Sequence, residues 1–587
     1  MSIKDNLLQR VQQQLEFIYA EVELNISYLD FSKMLVETIT QYSDLQQPEP
    51  HKNLWTEKDA ILITYGDSIT QYDSQHNVLE KPLHTLHRFL NDYIAPTINS
   101  VHILPFYPYS SDDGFSVINY VSVNESLGEW SDVNAIAKDY NLMADLVINH
   151  CSSRSLWYAN FKKGKGIGHD YFMPGDPNWD LTQVVRPRTS ELLKLAKTKK
   201  GEKFVWCTFS HDQVDLNFQN PNVLNEMVNI IAFYIRQGVK VFRLDAVAFL
   251  WKKPGTSCIN LEETHEAVRL FRTLIEHVAP NAIIITETNI PNRENLAYFG
   301  NANEAHCIYN FSLPPLLINT LLTGNNRYLK QWMMSMPPAQ NGTCYFNFIA
   351  SHDGVGLRPA EGLLSDKEIN ELVGTIQSFG GRVSLRTLPD GSTRPYEMNI
   401  ALYDALQGTT KGPDSFNEAR FLCAHAIMFA MEGIPGVYIH SMIATQNDYE
   451  KVKHTNSNRS INRHRWDELE LIQKLNDDTH HNRIFNGMRH LLKVRTKQKA
   501  FHPNATQFTL HINEQVFGFW RQSMDRKQSI FCIFNITDEL ISLTLAEINL
   551  VVTDNWWDLV TGNEINDTQE IIELKPYQCM WISNVNS

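Results

Sequence analysis

Short apolar runs of strand length recur along this chain with helix-like segments between them, and that alternation restricts the fold more than any other feature. AILITY (60–65), VHILPF (101–106), LMADLVINH (142–150), VKVFRLDAV (239–247), AIIITET (282–288) and CYFNFIASHD (344–353) are the clearest runs. Their apolar character is of the kind found in buried strands. Residues 220–247 show the repeating step most plainly. Asn220 suits an N-cap and Pro221 the first helical turn. Leu224, Met227, Ile231 and Ile235 follow at helical spacing, Gly238 can end the helix, and a strand starts at once. Repetition of such steps across 58–490 predicts a parallel β/α architecture, either a closed barrel or a doubly wound sheet.

The remaining residues fall outside this rhythm, as a chain of 587 residues is too long for one ordinary core. Residues 1–57 read as a helical N-terminal extension, with Leu7, Val11, Leu15 and Ile18 at helical spacing and a QQPEP linker at 46–50. Residues 151–205 are polar and basic where a strand-to-helix loop belongs, which predicts a small inserted domain. A second irregular stretch, 380–415, carries PDG and RPY turns and reads as an excursion loop. From 495 to 587 the pattern changes to strand-like pieces (VFGFWR, SIFCIFNI, YQCMWIS), predicting a C-terminal β-domain.

Composition narrows the function classes. A net charge of −14 disfavours phosphate backbones and anionic membrane surfaces, so neither nucleic acid nor membrane is expected as a partner. Eight scattered cysteines with no CxxC pair offer neither a zinc knuckle nor a dithiol motif, and they fit a reducing compartment. The opening MSIKDNLLQR lacks the basic start and apolar run of a signal peptide, and no stretch approaches the ~18 apolar residues of a spanning helix. The expectation is a soluble, cytoplasmic chain.

Four strand ends carry polar residues where an apolar strand should simply stop. Asp145, Asn149 and His150 close the third run; Arg243 and Asp245 lie in the fourth; Glu287 ends the fifth; His352 and Asp353 end the sixth. In a β/α barrel these ends converge on one face. Arg243 and Asp245, two apart in a strand, share a side, and an arginine beside a carboxylate favours its ionised form. One such Asp is commonly a cap or turn former, and one Arg-x-Asp commonly a structural ion pair. Four successive polar-ended strands are harder to explain by capping. Two carboxylates are what retaining glycosidic cleavage requires, one as nucleophile and one as acid/base. Asp245 and Glu287 are the candidates, with Asp353 to hold sugar hydroxyls.

DLVINH, VFRLDAV, ITETN and ASHDG resemble, in order, the four conserved segments of the α-amylase superfamily (glycoside hydrolase family 13). The resemblance implies a (β/α)8 barrel. Further strings, among them LPFYPYSSDDGFSVINY, WCTFSHDQVDLN and SINRH, are similar to the sucrose phosphorylase group. The ITYGDS start and the PDGSTRPYEMN loop look most like its glucosylglycerate phosphorylases. The resemblance implies Asp245 as nucleophile, Glu287 as acid/base and Asp353 as transition-state stabiliser. It places Asp112, Phe115, His150, Arg243, His352 and Arg463 in a glucose pocket, and Phe209 and Gln213 near the acceptor. Arg188, in the RPR string, and the 384–399 loop would face phosphate, aided by Arg386 or Arg394. Phe249 stands where sucrose phosphorylases carry a tyrosine, which disfavours plain sucrose as substrate. Asn149 matches a calcium ligand of many α-amylases, but the phosphorylases generally lack the metal, so no metal or cofactor is expected.

The implied activity is reversible phosphorolysis of a small α-glucoside to α-glucose 1-phosphate, with inorganic phosphate as co-substrate, in a monomer or homodimer. Glucosylglycerate is the first substrate, followed by glucosylglycerol, sucrose 6'-phosphate and sucrose. A hydrolase or transglucosidase would use the same triad, and an inactive barrel used for binding would usually have lost one of its acids.

Overall fold

In the computed structural model, which describes residues 2–75, 77–388, 391–548, 555–565 and 571–586, the step at 220–247 forms as its sequence directs. The Asn220 side chain accepts from the Asn222 N–H, Pro221 opens the helix Pro221–Arg236, and Gly238 turns the chain at φ 89°. Strand Val239–Leu244 follows directly.

Eight such strands close a parallel barrel: β1 (Ile61–Thr64), β2 (Ser100–Ile103), β3 (Asn141–Leu146), β4 (Val239–Leu244), β5 (Ile283–Thr286), β6 (Cys307–Tyr309), β7 (Cys344–Asn347) and β8 (Ile434–Tyr438). Each pairs with its sequence neighbour, and β1 closes on β8 through Ile61 opposite Gly436. Strands β6 and β8 are additions to the six apolar runs. Strand β6 has three residues, too few to show a period, and β8 contains Pro435 and Gly436. Gly436 is needed there, because a Cβ would stand 2.3 Å from the Phe346 ring.

The N-terminal helices Ile3–Ile18 and Tyr28–Ile39 pack on barrel helices Glu262–Glu276 and Pro221–Arg236, burying Leu7, Val11, Leu15 and Ile18. Tyr19 Oη donates to the Phe218 carbonyl (2.8 Å), tying this extension to the loop that precedes helix Pro221–Arg236. Within 151–205, strands Pro174–Gly175, Leu193–Thr198 and Gly201–Trp206 form an antiparallel sheet over a small core of Met173, Val184, Leu192 and Trp206.

The stretch 380–415 is more regular than an excursion loop. Arg382–Thr387 and Thr393–Asn399 pair as a hairpin, and Val355–Gly356 adds a third strand. Burial of Tyr396, Glu397, Met398 and Asn399 against the barrel supports this order. Pro389 and Asp390 of the PDG turn lie outside the described residues.

Beyond Lys499, a six-stranded antiparallel sheet uses both faces. Phe517, Phe519, Cys532, Phe534 and Trp581 join the barrel core, while the alternate positions Val516, Phe531, Ile533 and Ile582 build a second core. The pair Ile541–Thr544 and Ile571–Leu574 contributes Leu543 and Leu574 to that second core. Among the described residues no helix is long and apolar enough to cross a membrane.

Candidate active site

The polar strand ends converge. A cavity of about 70 Å³ at the C-terminal ends of the strands is lined by Asp112, Phe115, His150, Arg188, Phe209, Gln213, Asp245, Glu287, His352 and Asp353, all named from the sequence. A larger hollow at the opposite end of the barrel, beside Trp55, Ile61, Val241 and Ile434, holds no pair of carboxylates.

Arg243 is the buried hub. Register places it opposite Asp145 on β3, and its Nη1 donates to Asp145 (2.5 Å) and Asp245 (2.6 Å). Its Nη2 lies 3.8 Å from Glu287. Asp145 also bonds His102 Nε2 (2.6 Å). Burial opposes ionisation of Asp145, yet His102 and Arg243 hold its carboxyl below the usual range.

Asp245 and Glu287 are shifted in the same direction. Burial pushes Asp245 well above its ordinary value, and the neighbouring Glu287 adds to the rise while Arg243 opposes it. Burial also raises Glu287, assisted by the Asp353 charge and again opposed by Arg243. Two carboxyls raised together favour retention of one proton between them. The Arg243 contact is direct to Asp245 and 3.8 Å to Glu287, so the ionised form is better placed on Asp245 and the proton on Glu287. The Ala246 N–H donates to Glu287 Oε2 (2.9 Å) from a residue held at φ 49°. A left-handed alanine costs about 1–3 kcal/mol, and here it turns the chain just beyond Asp245 so that this amide reaches Glu287.

Asp353 lies under two cations. Arg459 Nη1 is 2.5 Å from it and Arg463 Nη2 3.7 Å. Burial works against its ionisation, but Arg459, His352 and Arg463 hold its carboxyl far below the usual range. Arg463 is buried behind the cavity rather than lining it. Its Nη1 pairs with Asp113 (2.7 Å), its Nε donates to the His352 carbonyl (2.8 Å), and Asp112 is 4.0 Å away. Phe115 and His352 stack at 4.9 Å, and burial keeps both His150 and His352 below the ordinary histidine value, hence neutral. His150 Nε2 donates to the Phe115 carbonyl (3.0 Å).

At the open side, Phe209 meets Phe249 edge-to-face at 5.5 Å. The Arg188 guanidinium lies over Phe209 (6.0 Å) and Tyr396 (5.6 Å). Its one hydrogen bond among the described residues is a 3.4 Å contact to the Pro187 carbonyl, and no carboxylate there pairs with it. Arg386 and Arg394, expected beside phosphate, are engaged elsewhere. Arg386 pairs with Glu361 (2.6 Å) and Arg394 with Asp366 (3.3 Å), and neither lines the cavity. The hairpin contributes Tyr396 and Glu397 instead. Glu397 binds Arg459 through Nε (3.0 Å) and Nη2 (2.6 Å). Arg459, Asn289 and Phe311 were not singled out from the sequence, and Tyr396 and Glu397 only as part of the 384–399 loop. In the sequence, Arg459 is marked by lying four residues before Arg463, and Glu397 by being a lone acid within a buried strand.

Asn149, the position matching a calcium ligand, accepts from Lys252 Nζ (2.6 Å), which also pairs with Asp215 (2.9 Å). An ammonium group of the chain itself therefore supplies positive charge between these two oxygens.

A family model described as the α-amylase catalytic domain matches residues 92–355. The chain is 40% identical over 535 residues to a glucosylglycerate phosphorylase of Spirochaeta thermophila, covering 89% of this chain and 90% of the relative. It is 39% identical to the glucosylglycerate phosphorylase of Escherichia coli, covering 90% and 93%. Among solved structures, sucrose 6F-phosphate phosphorylase from Thermoanaerobacter thermosaccharolyticum superposes with a TM-score of 0.71 at 25% identity, covering 88% of this chain and 98% of that one. Barrel, converging carboxylates and relatives agree: the chain belongs to the α-amylase family, in its sucrose phosphorylase-like group.

Proposed function

We propose that this enzyme catalyses the reversible phosphorolysis of glucosylglycerate, giving α-glucose 1-phosphate and glycerate with retention. The observation that carries the acceptor side is Arg188, a cation facing the cavity with no carboxylate partner among the described residues. Arg243, Arg459 and Arg463 are each engaged by carboxylates. An unpaired guanidinium suits an anion, and both phosphate and the glycerate carboxylate are planar or forked partners for it. The relatives named glucosylglycerate phosphorylase support the same assignment.

In this reading Asp245 attacks the anomeric carbon and Glu287 protonates the departing glycerate oxygen, leaving a β-glucosyl ester on Asp245. Esterification removes the Asp245 charge, so Glu287, which has given its proton to the glycerate, loses a like-charged neighbour while keeping Arg243 nearby and rests as the carboxylate. Hydrogenphosphate, already anionic, then attacks from the vacated side and takes the glucosyl group, restoring the Asp245 carboxylate, and its proton returns to Glu287. Asp353, held ionised, and Asp112, both in the cavity wall, would bind sugar hydroxyls. The eight free cysteines are compatible with a reducing, cytoplasmic setting.

The deciding experiment measures phosphate release from α-glucose 1-phosphate with glycerate, glycerol, fructose and fructose 6-phosphate offered separately. Acceleration by glycerate above the others is the expected result. Release that no acceptor accelerates would favour the hydrolase reading and remove phosphorolysis.

A further inference from the structure

The turn that presents Asp112 and Phe115 to the cavity is strained. Asp112, Asp113 and Gly114 stand at φ 54°, 45° and 115°, and a Cβ on Gly114 would lie 2.6 Å from the Pro105 carbonyl oxygen. Two consecutive left-handed non-glycine residues cost about 1–3 kcal/mol each, so something must hold the ends of this turn.

That something is the carboxylate of Asp212. Its Oδ2 accepts from Ser110 Oγ (2.5 Å), Ser111 Oγ (2.6 Å) and Ser116 Oγ (2.9 Å), two serines before the turn and one after it. Its Oδ1 accepts from Ser153 Oγ (2.6 Å), and the Ser153 N–H donates to the Asp212 carbonyl (2.8 Å). The segments gathered in this way follow β2, follow β3 and leave the inserted sheet. They carry Asp112, Phe115, His150, Phe209 and Gln213, five residues of the cavity wall. Gln213, next in sequence, closes the arrangement from inside, with its Nε2 3.4 Å from Asp112 Oδ2 and 3.5 Å from the Phe115 carbonyl. No cation forms an ion pair with Asp212 among the described residues, and Asp212 does not line the cavity. Burial opposes its ionisation, but the four hydroxyl donors outweigh burial and bring its pKa down to about 2. The carboxylate is therefore charged throughout the working range, and proton transfer is not its task.

We propose that Asp212 is a positioning residue for the glucosyl pocket, clasping three loops so that Asp112, Phe115 and Gln213 meet the sugar in register. This rests on the glucosyl-transfer reading of the cavity but not on which acceptor follows. Displacement of such a wall by about 1 Å can cost on the order of 100-fold in rate.

Fluoride release from α-glucosyl fluoride tests the idea, since it reports formation of the glucosyl ester whatever the acceptor. Asp212→Ala should lower kcat/KM for the fluoride by about 10- to 100-fold, while KM for phosphate stays within about 2-fold. Asp212→Asn keeps an acceptor oxygen, and the serine hydroxyls can accept from its amide, so it should recover part of the loss. The double variant Ser111→Ala with Ser116→Ala serves if Asp212→Ala does not fold, and it should show the same selective loss. Thermal melting is recorded for each. A folded Asp212→Ala, or in its place a folded double variant, with wild-type kcat/KM would overturn the proposal. So would a loss shared equally by the fluoride and phosphate parameters. Were wild type to turn α-glucosyl fluoride into glucose rather than glucose 1-phosphate in the presence of phosphate, the phosphorylase reading would fail, and the variant ratios would still decide the role of Asp212.

Discussion

Replacing Arg188 by alanine separates the phosphate step from the glucosyl step. The guanidinium makes no ion pair among the described residues and lies over Phe209 and Tyr396 at 6.0 and 5.6 Å. What its removal costs the free enzyme is therefore those ring contacts and one long hydrogen bond to the Pro187 carbonyl, about 0.5–1 kcal/mol at a half-open site. What it costs the phosphate step is larger. A forked guanidinium–phosphate contact contributes about 1.5–3 kcal/mol. At 1.36 kcal/mol per factor of ten, kcat/KM for phosphate should fall by about 10- to 100-fold. Water as acceptor makes no such contact, so hydrolysis of the same glucosyl ester should change by less than about 3-fold. The assay is the ratio of glucose 1-phosphate to free glucose formed from one glucoside at fixed phosphate, with the ratio dropping in Arg188→Ala. Arg188→Lys restores charge without the planar fork and should fall between the two. Equal loss of phosphorolysis and hydrolysis would refute the reasoning, because it would place Arg188 on the glucosyl side of the cavity.

Asp245→Asn should abolish glucosyl transfer with every donor, including α-glucosyl fluoride; residual turnover near wild type would remove Asp245 as nucleophile. Burial raises Glu287, with Asp353 adding to the rise, and its acid form is needed for a poor leaving group. Wild-type kcat/KM on glucosylglycerate should therefore decline as pH rises through that elevated pKa; Glu287→Ala should lose this alkaline limb and keep fluoride release from α-glucosyl fluoride, which needs no proton donor. Lys252→Met leaves the buried Asp215 carboxylate without its 2.9 Å partner and should cost about 3–5 kcal/mol, read as a lowered melting temperature. Chelation, by contrast, should leave both the melting temperature and activity unchanged, and a chelator-sensitive wild type would contradict the role given to Lys252.

What the sequence showed best was the barrel and the convergence of its polar strand ends. Asp245, Glu287 and Asp353 each end or follow a run of apolar residues, and a carboxylate there has no packing reason to exist, so it stands out. Strands β6 and β8 were hidden because three residues carry no period and because proline and glycine argue against a strand. Arg459 and Glu397 were hidden for another reason: they find each other across 62 residues, by a contact that neither local pattern announces. The expected roles of Arg386 and Arg394 failed on the same ground. Both are arginines of the right hairpin, but Glu361 and Asp366 reach them first, and no spacing rule foretells that pairing.

The pairing of charge is what turns one cavity into a device with two different ends. At the inner end the cations are shared among carboxylates: Arg243 between Asp145 and Asp245, Arg463 between Asp113 and the rim of Asp353, Arg459 between Asp353 and Glu397. Such shared pairs fix geometry and leave little positive field for a free anion, which suits a neutral sugar held by its hydroxyls. At the outer end Arg188 is backed by aromatic faces and has no acid beside it among the described residues, so its field remains available. On the proposed assignment, an anion entering the cavity gains most beside Arg188, whose charge no carboxylate shares among the described residues, and least beside the arginines already paired.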